Sequence, residues 1–365
     1  MKYYIIAGEA SGDLHASNLM RAIKQNDSNA SFRCWGGELM EEQGAVLVKH
    51  YRDLAFMGFI EVIMNLRTIF KNIKTCKADI AEHQPDVVIL VDYPGFNLRI
   101  APFVKSLGIK VVYYISPQIW AWKQSRVHTI KKVVDRMLVI LPFEKDFYKK
   151  FDMDVSFVGH PLVDATEAYE ISEHLPTLAF DRPVIALLPG SRRQEIKVML
   201  PYMIAVSKQF TDYQFVIAAA PNAEDGLYAG MEGSDLKLVK NRTYDLLSMA
   251  HAALVTSGTA TLETALFKVP QVVCYKGSAI SYYIARMLVK IKYISLVNLI
   301  MDKEVVTELI QDKLTVKNIV AELAPLLEGK KRQDMLGIYD ELQTKLGGGG
   351  ASQKAAQEIQ KMMEA

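Results

Sequence analysis

Cysteine is scarce in this 365-residue chain: Cys34, Cys76 and Cys274 are odd in number, far apart and without metal-ligand spacing. They exclude a disulfide framework and fit small core residues in a reducing compartment. Excess charge is missing too. Lys+Arg number 43 and Asp+Glu 41, a balance of +2 that offers nucleic acid no bulk basic field. No apolar run reaches the roughly 18 residues needed to span a bilayer. Met1-Lys2 leads into an apolar run at Tyr3 without the basic and apolar regions of an export signal. The chain is therefore expected to be neither exported nor membrane-spanning. HExxH, GxSxG and Cys/His clusters are also lacking, which removes support for metalloprotease and serine-hydrolase chemistry. The one DxD string, Asp152-Met153-Asp154, reads as an acidic turn before a strand at 155–158, so neither metal nor cofactor is expected.

What is present suits two full cores, with 50% of residues hydrophobic. Unbroken Val/Ile/Tyr runs recur at Tyr3–Ala7, Val87–Val91, Val111–Ile115 and Met137–Ile140, and again at Val184–Leu188, Phe215–Ala219, Ala252–Val255 and Gln271–Cys274. Runs without polar alternation, separated by segments of helical period, predict parallel strands covered by helices on both faces. The expected fold is α/β, two doubly wound domains facing a cleft. The first domain covers 1–165, a polar, proline-bounded linker 166–183, and the second domain 184–345. Beyond it, Gly347–Gly350 form a hinge, and an amphipathic tail with Ala356, Ile359 and Met363 docks on the first domain or on a partner subunit, as in a homodimer.

Two turns stand out in the second half. Gly190-Ser191-Arg192-Arg193 follows the run 184–188, and Ser257-Gly258-Thr259 follows 252–255 and opens a helix reaching Glu263. A strand running into a small-residue turn and then a helix leaves backbone N–H groups unpaired at a positive helix end, an arrangement that collects phosphate. With Arg192 added, amides and a guanidinium suit a diphosphate without metal.

In the first half, Gly8-Glu9-Ala10-Ser11-Gly12-Asp13 stands where a dinucleotide enzyme carries GxGxxG, but the third glycine is missing. Gly8 and Gly12 suit either close approach of a ligand or a tight turn, and His15 faces a ligand or the surface. Asp92 directly follows a buried strand, where it is either a catalytic base with a raised pKa or the N-cap of the helix opened by Pro94. Gln118, Trp120 and Trp122 end another strand ahead of a basic helix, a combination suiting sugar, acyl chain and phosphate, or plain core packing. Between Phe56 and Lys74, Phe59, Val62, Ile63, Leu66, Ile69, Phe70 and Ile73 share one stripe at about 100° per residue, flanked by Arg67, Lys71 and Lys74, with Asn72 opposite. Such a helix faces the core or lies in a membrane interface.

Taken together, AGEASGDLHA at 7–16, GGELMEEQG at 36–44, MGFIEV at 57–62, VDYPGFN at 91–97, SPQIWAWKQSR at 116–126, LPFEKDFY at 141–148, VGHPL at 158–162, LPGSRRQEI at 188–196 and SGTATLE at 257–263 resemble the lipid-A-disaccharide synthases. These are membrane-associated bacterial glycosyltransferases with two Rossmann-like domains of the GT-B type. The resemblance implies transfer of 2,3-diacylglucosamine from its UDP derivative to 2,3-diacylglucosamine 1-phosphate, with UDP released at the inner face of the inner membrane. It implies Asp92 as base and Arg192 at the leaving group. Gly190, Ser191, Ser257, Gly258, Thr259, Glu263 and Asn298 would serve the nucleotide sugar, with Glu263 at the ribose and Asn298 at the diphosphate. Gly8, Ser11, Gly12, Asp13, His15, Gln118 and Trp120 would lie on the acceptor side, and Phe59, Ile63, Leu66, Arg67, Ile69, Phe70 and Lys71 on the membrane. Some members carry a second aspartate where this chain has Gly95, which leaves Asp92 as the acid of that motif, and Thr307 replaces a common proline. A UDP-sugar epimerase of the same fold, or a nucleotide-sugar sensor without catalysis, are the rival readings.

Overall fold

A computed structural model describes residues 1–54, 66–169, 180–220, 226–228, 235–278 and 291–364. The chain forms two compact units, Met1–Asp164 with Leu346–Ala365, and Ala165–Lys345.

The first unit is a seven-stranded sheet in the order β3-β2-β1-β4-β5-β6-β7, parallel throughout. Its strands are β1 (Lys2–Ala7), β2 (Ser31–Gly36), β3 (Val46–His50), β4 (Val87–Val91), β5 (Lys110–Tyr114), β6 (Arg136–Val139) and β7 (Ser156–Phe157). Helices α1 (Ala10–Asn26), α2 (Glu38–Glu42), α3 (Leu66–His83), α4 (Pro94–Ser106), α5 (Val127–Val133), α6 (Pro142–Lys149) and α7 (Pro161–Glu167) connect and follow them. All five residues of β4 are buried, as a strand covered on both faces requires.

The second unit repeats the plan with six parallel strands in the order β10-β9-β8-β11-β12-β13. These are β8 (Val184–Leu188), β9 (Gln214–Ala219), β10 (Lys237–Lys240), β11 (Ala250–Thr256), β12 (Gln271–Tyr275) and β13 (Glu308–Ile310). The helices are α8 (Arg193–Ser207), α9 (Thr243–Met249), α10 (Thr259–Leu266), α11 (Leu296–Met301), α12 (Val316–Leu327) and α13 (Lys330–Lys345). In each sheet the strand order reverses beside the first strand, between β1 and β4 and between β8 and β11. The carboxyl ends there are the switch points at which open α/β sheets bind ligands.

Helix α14 (Ala351–Glu364) returns to the first unit and packs on α1. Ala355, Ala356, Ile359 and Met362 are its buried stripe, so Met362 rather than Met363 turns inward. Asp164 fixes its start by accepting the amides of Gly350 (2.6 Å), Ala351 (3.0 Å) and Ser352 (3.0 Å), three of the orphan donors of a helix N-terminus. Beside it the His160 amide donates to the Leu346 carbonyl (3.2 Å). Part of the expected linker, 170–179, lies outside the described residues. All three cysteines are buried and free, and among the described residues no helix is long and apolar enough to cross a membrane.

Candidate active site

Both phosphate-type turns of the second unit lie at its switch point, on the adjacent strands β8 and β11. Gly190 takes φ +111°, and a Cβ there would come within 2.7 Å of Glu195 Oε2, so this turn requires glycine. Glu195 reaches back from the first turn of α8 to the Arg192 amide (3.3 Å) and pairs with its guanidinium (3.0 Å). The Arg192 side chain is nevertheless 63% exposed, with its remaining donors toward solvent. At the other turn, the Ser257 amide and hydroxyl are taken by the carbonyls of Cys274 and Ile294. The amides of Gly258 and Thr259 find no partner among the described residues, and the space over Gly258 is open. One turn into α10, Glu263 accepts the Tyr244 hydroxyl (2.9 Å), and burial pushes its carboxyl up.

Asn298 requires a correction. It is fully buried, and its Nδ2 donates to the Val306 carbonyl (2.8 Å) and Glu308 Oε1 (2.9 Å) while Oδ1 accepts the amides of Val305 (2.7 Å) and Val306 (3.0 Å). All four hydrogen-bond positions of the amide are filled by protein, leaving none for a diphosphate. Glu308 completes the strut by accepting the amides of Ile294 and Ser295.

In the first unit, Asp92 stands at the end of β4, across the switch point from Glu9. Asp92 (φ +42°) and Tyr93 (φ +48°) are consecutive left-handed residues, neither of them glycine. That conformation costs about 1–2 kcal/mol per residue and persists only where the surroundings enforce it. Here the Asp92 carbonyl is pinned by the Tyr113 hydroxyl (2.6 Å) and by Nδ2 of the fully buried Asn97 (2.7 Å), and its amide donates to the Tyr114 carbonyl (3.0 Å). Tyr93, not Asp92, occupies the cap position of α4, and no side chain caps that helix. The residue keeps an exposed surface, yet crowding by protein atoms and then the charge of Glu9 push its carboxyl up to about 7.

The glycine-containing turn after β1 is occupied by protein. A Cβ on Gly8 would meet the Tyr93 ring at 2.3 Å, and one on Gly12 would meet the Ala7 Cβ at 3.2 Å, so both glycines admit neighbours in the fold. Asp13 is buried and accepts the amides of Gly37 (2.8 Å), Leu39 (3.1 Å) and Met40 (3.2 Å), which start α2. His15 is not at the surface: it is buried near His160 and Asp164, its Nδ1 has no partner among the described residues, and desolvation lowers its pKa to about 4. Gly8 and Gly12 are packing positions and Asp13 a capping group, a second correction. Ser11 and Gln118 are exposed. Trp120 is half-buried edge-on to Phe143 (4.9 Å), whereas Trp122 is 39% exposed with the cations of Lys123 (4.5 Å) and Arg126 (5.3 Å) over its ring. Asp152 and Asp154 lie in an exposed turn, and no metal-type cluster of acids, His or Cys occurs among the described residues.

Of the amphipathic stripe, Phe59, Val62 and Ile63 lie outside the described residues. On α3, Ile69 and Ile73 pack on the core and Asn72 is buried with them, so Ile69 does not belong to an exposed face. Leu66 and Phe70 are 43% and 63% exposed beside the exposed Arg67, Lys71 and Lys74.

Two parallel α/β units, each with open groups at its switch point, define the fold class of the GT-B glycosyltransferases and nucleotide-sugar epimerases. The UDP-GlcNAc 2-epimerase from Neisseria meningitidis bound to UDP-GlcNAc is similar with a TM-score of 0.71 at 12% identity, over 99% of this chain and 100% of that one. The S. aureus MnaA–UDP co-structure is similar at 0.72 and 11%, over 100% and 97%. Sequence narrows the class. A profile of the lipid-A-disaccharide synthetase family matches residues 3–362. Lipid-A-disaccharide synthase of Syntrophus aciditrophicus is 41% identical over 96% of this chain and 95% of its own, and that of Myxococcus xanthus 38% over 98% and 97%. The chain belongs to the lipid-A-disaccharide synthetase family.

Proposed function

We propose that this protein transfers 2,3-diacylglucosamine from its UDP derivative to the 6-hydroxyl of 2,3-diacylglucosamine 1-phosphate, giving the β-1,6-linked disaccharide 1-phosphate and UDP. The family match across residues 3–362 carries this reading. In the step itself, the acceptor oxygen bonds to the anomeric carbon of the donor as the bond from that carbon to the diphosphate oxygen breaks, and the configuration inverts. Asp92 takes the hydroxyl proton. The electron pair leaves on UDP, where Arg192 and the amides of Gly258 and Thr259 meet the growing charge with fixed donors. Glu263 receives a ribose hydroxyl. Leu66 and Phe70, with Arg67, Lys71 and Lys74, suit contact with an anionic membrane face, where the acyl chains of both substrates stay out of water.

The test is direct: protein mixed with the UDP-diacylglucosamine and the diacylglucosamine 1-phosphate yields disaccharide and stoichiometric UDP. Conversion of UDP-GlcNAc to its C2 epimer, with no disaccharide formed, overturns the proposal.

A further inference from the structure

The Glu263 carboxylate has one oxygen committed and one open. Oε1 accepts the Tyr244 hydroxyl at 2.9 Å, and Oε2 has no partner among the described residues. Tyr244 comes from α9, on the far side of β11 in sequence, and its ring is wedged between two others: Tyr169 meets it edge-on (5.7 Å) and Phe267 lies tilted against it (5.0 Å). Tyr169 and Phe267 also pack on each other (5.5 Å), closing a three-ring cluster. Tyr169 is held in turn through its hydroxyl on Asp245, which Arg242 pairs with as well. The phenol therefore has a fixed ring and a fixed target. Burial and the carboxylate both hold the phenol in its protonated form, so it serves Glu263 as a donor throughout the neutral range.

We infer that Tyr244 is a positioning residue for nucleotide recognition: by occupying Oε1 and fixing the Glu263 rotamer, it presents Oε2 as the one acceptor for a ribose hydroxyl of the bound UDP. This rests on the reading of Glu263 as the ribose contact. A carboxylate free to rotate would spend part of its time turned away and would lose the discrimination that a prearranged acceptor supplies. The physical effect is on selectivity for the sugar hydroxyls, not on the grip of the diphosphate.

The experiment is calorimetric titration of the full chain with UDP and with 2′,3′-dideoxyuridine diphosphate. Wild-type protein is expected to prefer UDP by about tenfold or more, the scale of a hydrogen bond to a charged group. Tyr244→Phe keeps the packed ring and removes the hydroxyl. It should leave the affinity for the dideoxy nucleotide unchanged and shrink the preference to within about threefold. A variant that binds both nucleotides equally more weakly, or that retains the full preference, overturns the proposal. Glu263→Gln separates the two levels. If it collapses the preference while Tyr244→Phe does not, the ribose reading stands and the role of Tyr244 falls. If Glu263→Gln keeps the preference intact, the ribose reading itself falls, and the proposal with it.

Discussion

Lowering the pH from 8 to 6 should slow transfer along a limb that belongs to Asp92. An aspartate in water titrates near 3.9, and a base with that value would be fully ionised over the whole interval, so the rate would be flat. Crowding and Glu9 push Asp92 up to about 7. A base works only when ionised, so a raised value means activity is present above the midpoint and lost as pH falls through it. With a midpoint of about 7, the ionised fraction drops from about nine-tenths at pH 8 to about one-tenth at pH 6, and kcat/KM falls about tenfold. The assay is disaccharide formation at subsaturating acceptor across the interval. Asp92→Asn should lose about 10²- to 10⁴-fold in rate and show no limb, with UDP affinity unchanged by calorimetry. Glu9→Gln, which removes a repelling charge, should move the limb to lower pH. A flat wild-type profile, or an Asp92→Asn variant with a near-normal rate, would refute the reasoning and put the base elsewhere.

Other outcomes follow from the same structure. Arg192→Ala should weaken UDP about 10- to 150-fold, the equivalent of about 1.5–3 kcal/mol for a charge-assisted contact, and unchanged affinity would remove Arg192 from the site. Turnover should be undiminished in EDTA, because the donors at the leaving group are amides and a guanidinium; activity that vanished and returned with magnesium would make Asp152 and Asp154 the ligands to test. Replacing Leu66 and Phe70 together by serine should leave thermal stability within about 0.5 kcal/mol, since both are exposed, and abolish sedimentation with anionic vesicles. Persistent sedimentation would locate the contact elsewhere. Asp164→Ala should cost about 2–4 kcal/mol by orphaning three amides at the start of α14, seen as a lower urea midpoint and earlier proteolysis after residue 350. A wild-type midpoint would show that packing on α1 alone holds the helix.

The central strands were readable as letters because burial on both faces leaves no polar alternation: β4 and β8 match their runs residue for residue. The edge strands β3, β10 and β13 were not, since one side meets solvent and sequences such as Lys237–Lys240 look like loop, and interior β2 was missed as well because Ser31, Arg33 and Gly36 break its apolar run. The turns at Gly190 and Gly258 were visible from strand, small residues and helix in succession, but their adjacency at a switch point depends on strand order, which no local pattern encodes. Asp13, beside a glycine, looks ready for a ligand until the amides that satisfy it, 24 residues away in the case of Gly37, are known. Asn298 came from the resemblance alone, and the backbone of Val305 and Val306 that fills it is seven and eight residues away. The helical wheel put Leu66, Ile69, Phe70 and Ile73 in one stripe, whereas on α3 the core covers Ile69 and Ile73 and leaves Leu66 and Phe70 exposed. Tyr244 had no local signal, being 19 residues from the carboxylate it holds.

The return of α14 to α1 has a consequence for biosynthesis. The second unit is one continuous stretch, whereas the first is interrupted and receives its closing helix about 200 residues after Asp164. At about 5–20 residues per second, a ribosome needs roughly 10–40 s to cover that distance. Throughout that interval the surface of α1 on which α14 later packs stays uncovered on the nascent chain. The inserted unit thus completes first, although the unit that holds it began earlier. A chaperone that shields apolar surface has its window on the amino-terminal half, during synthesis of the other.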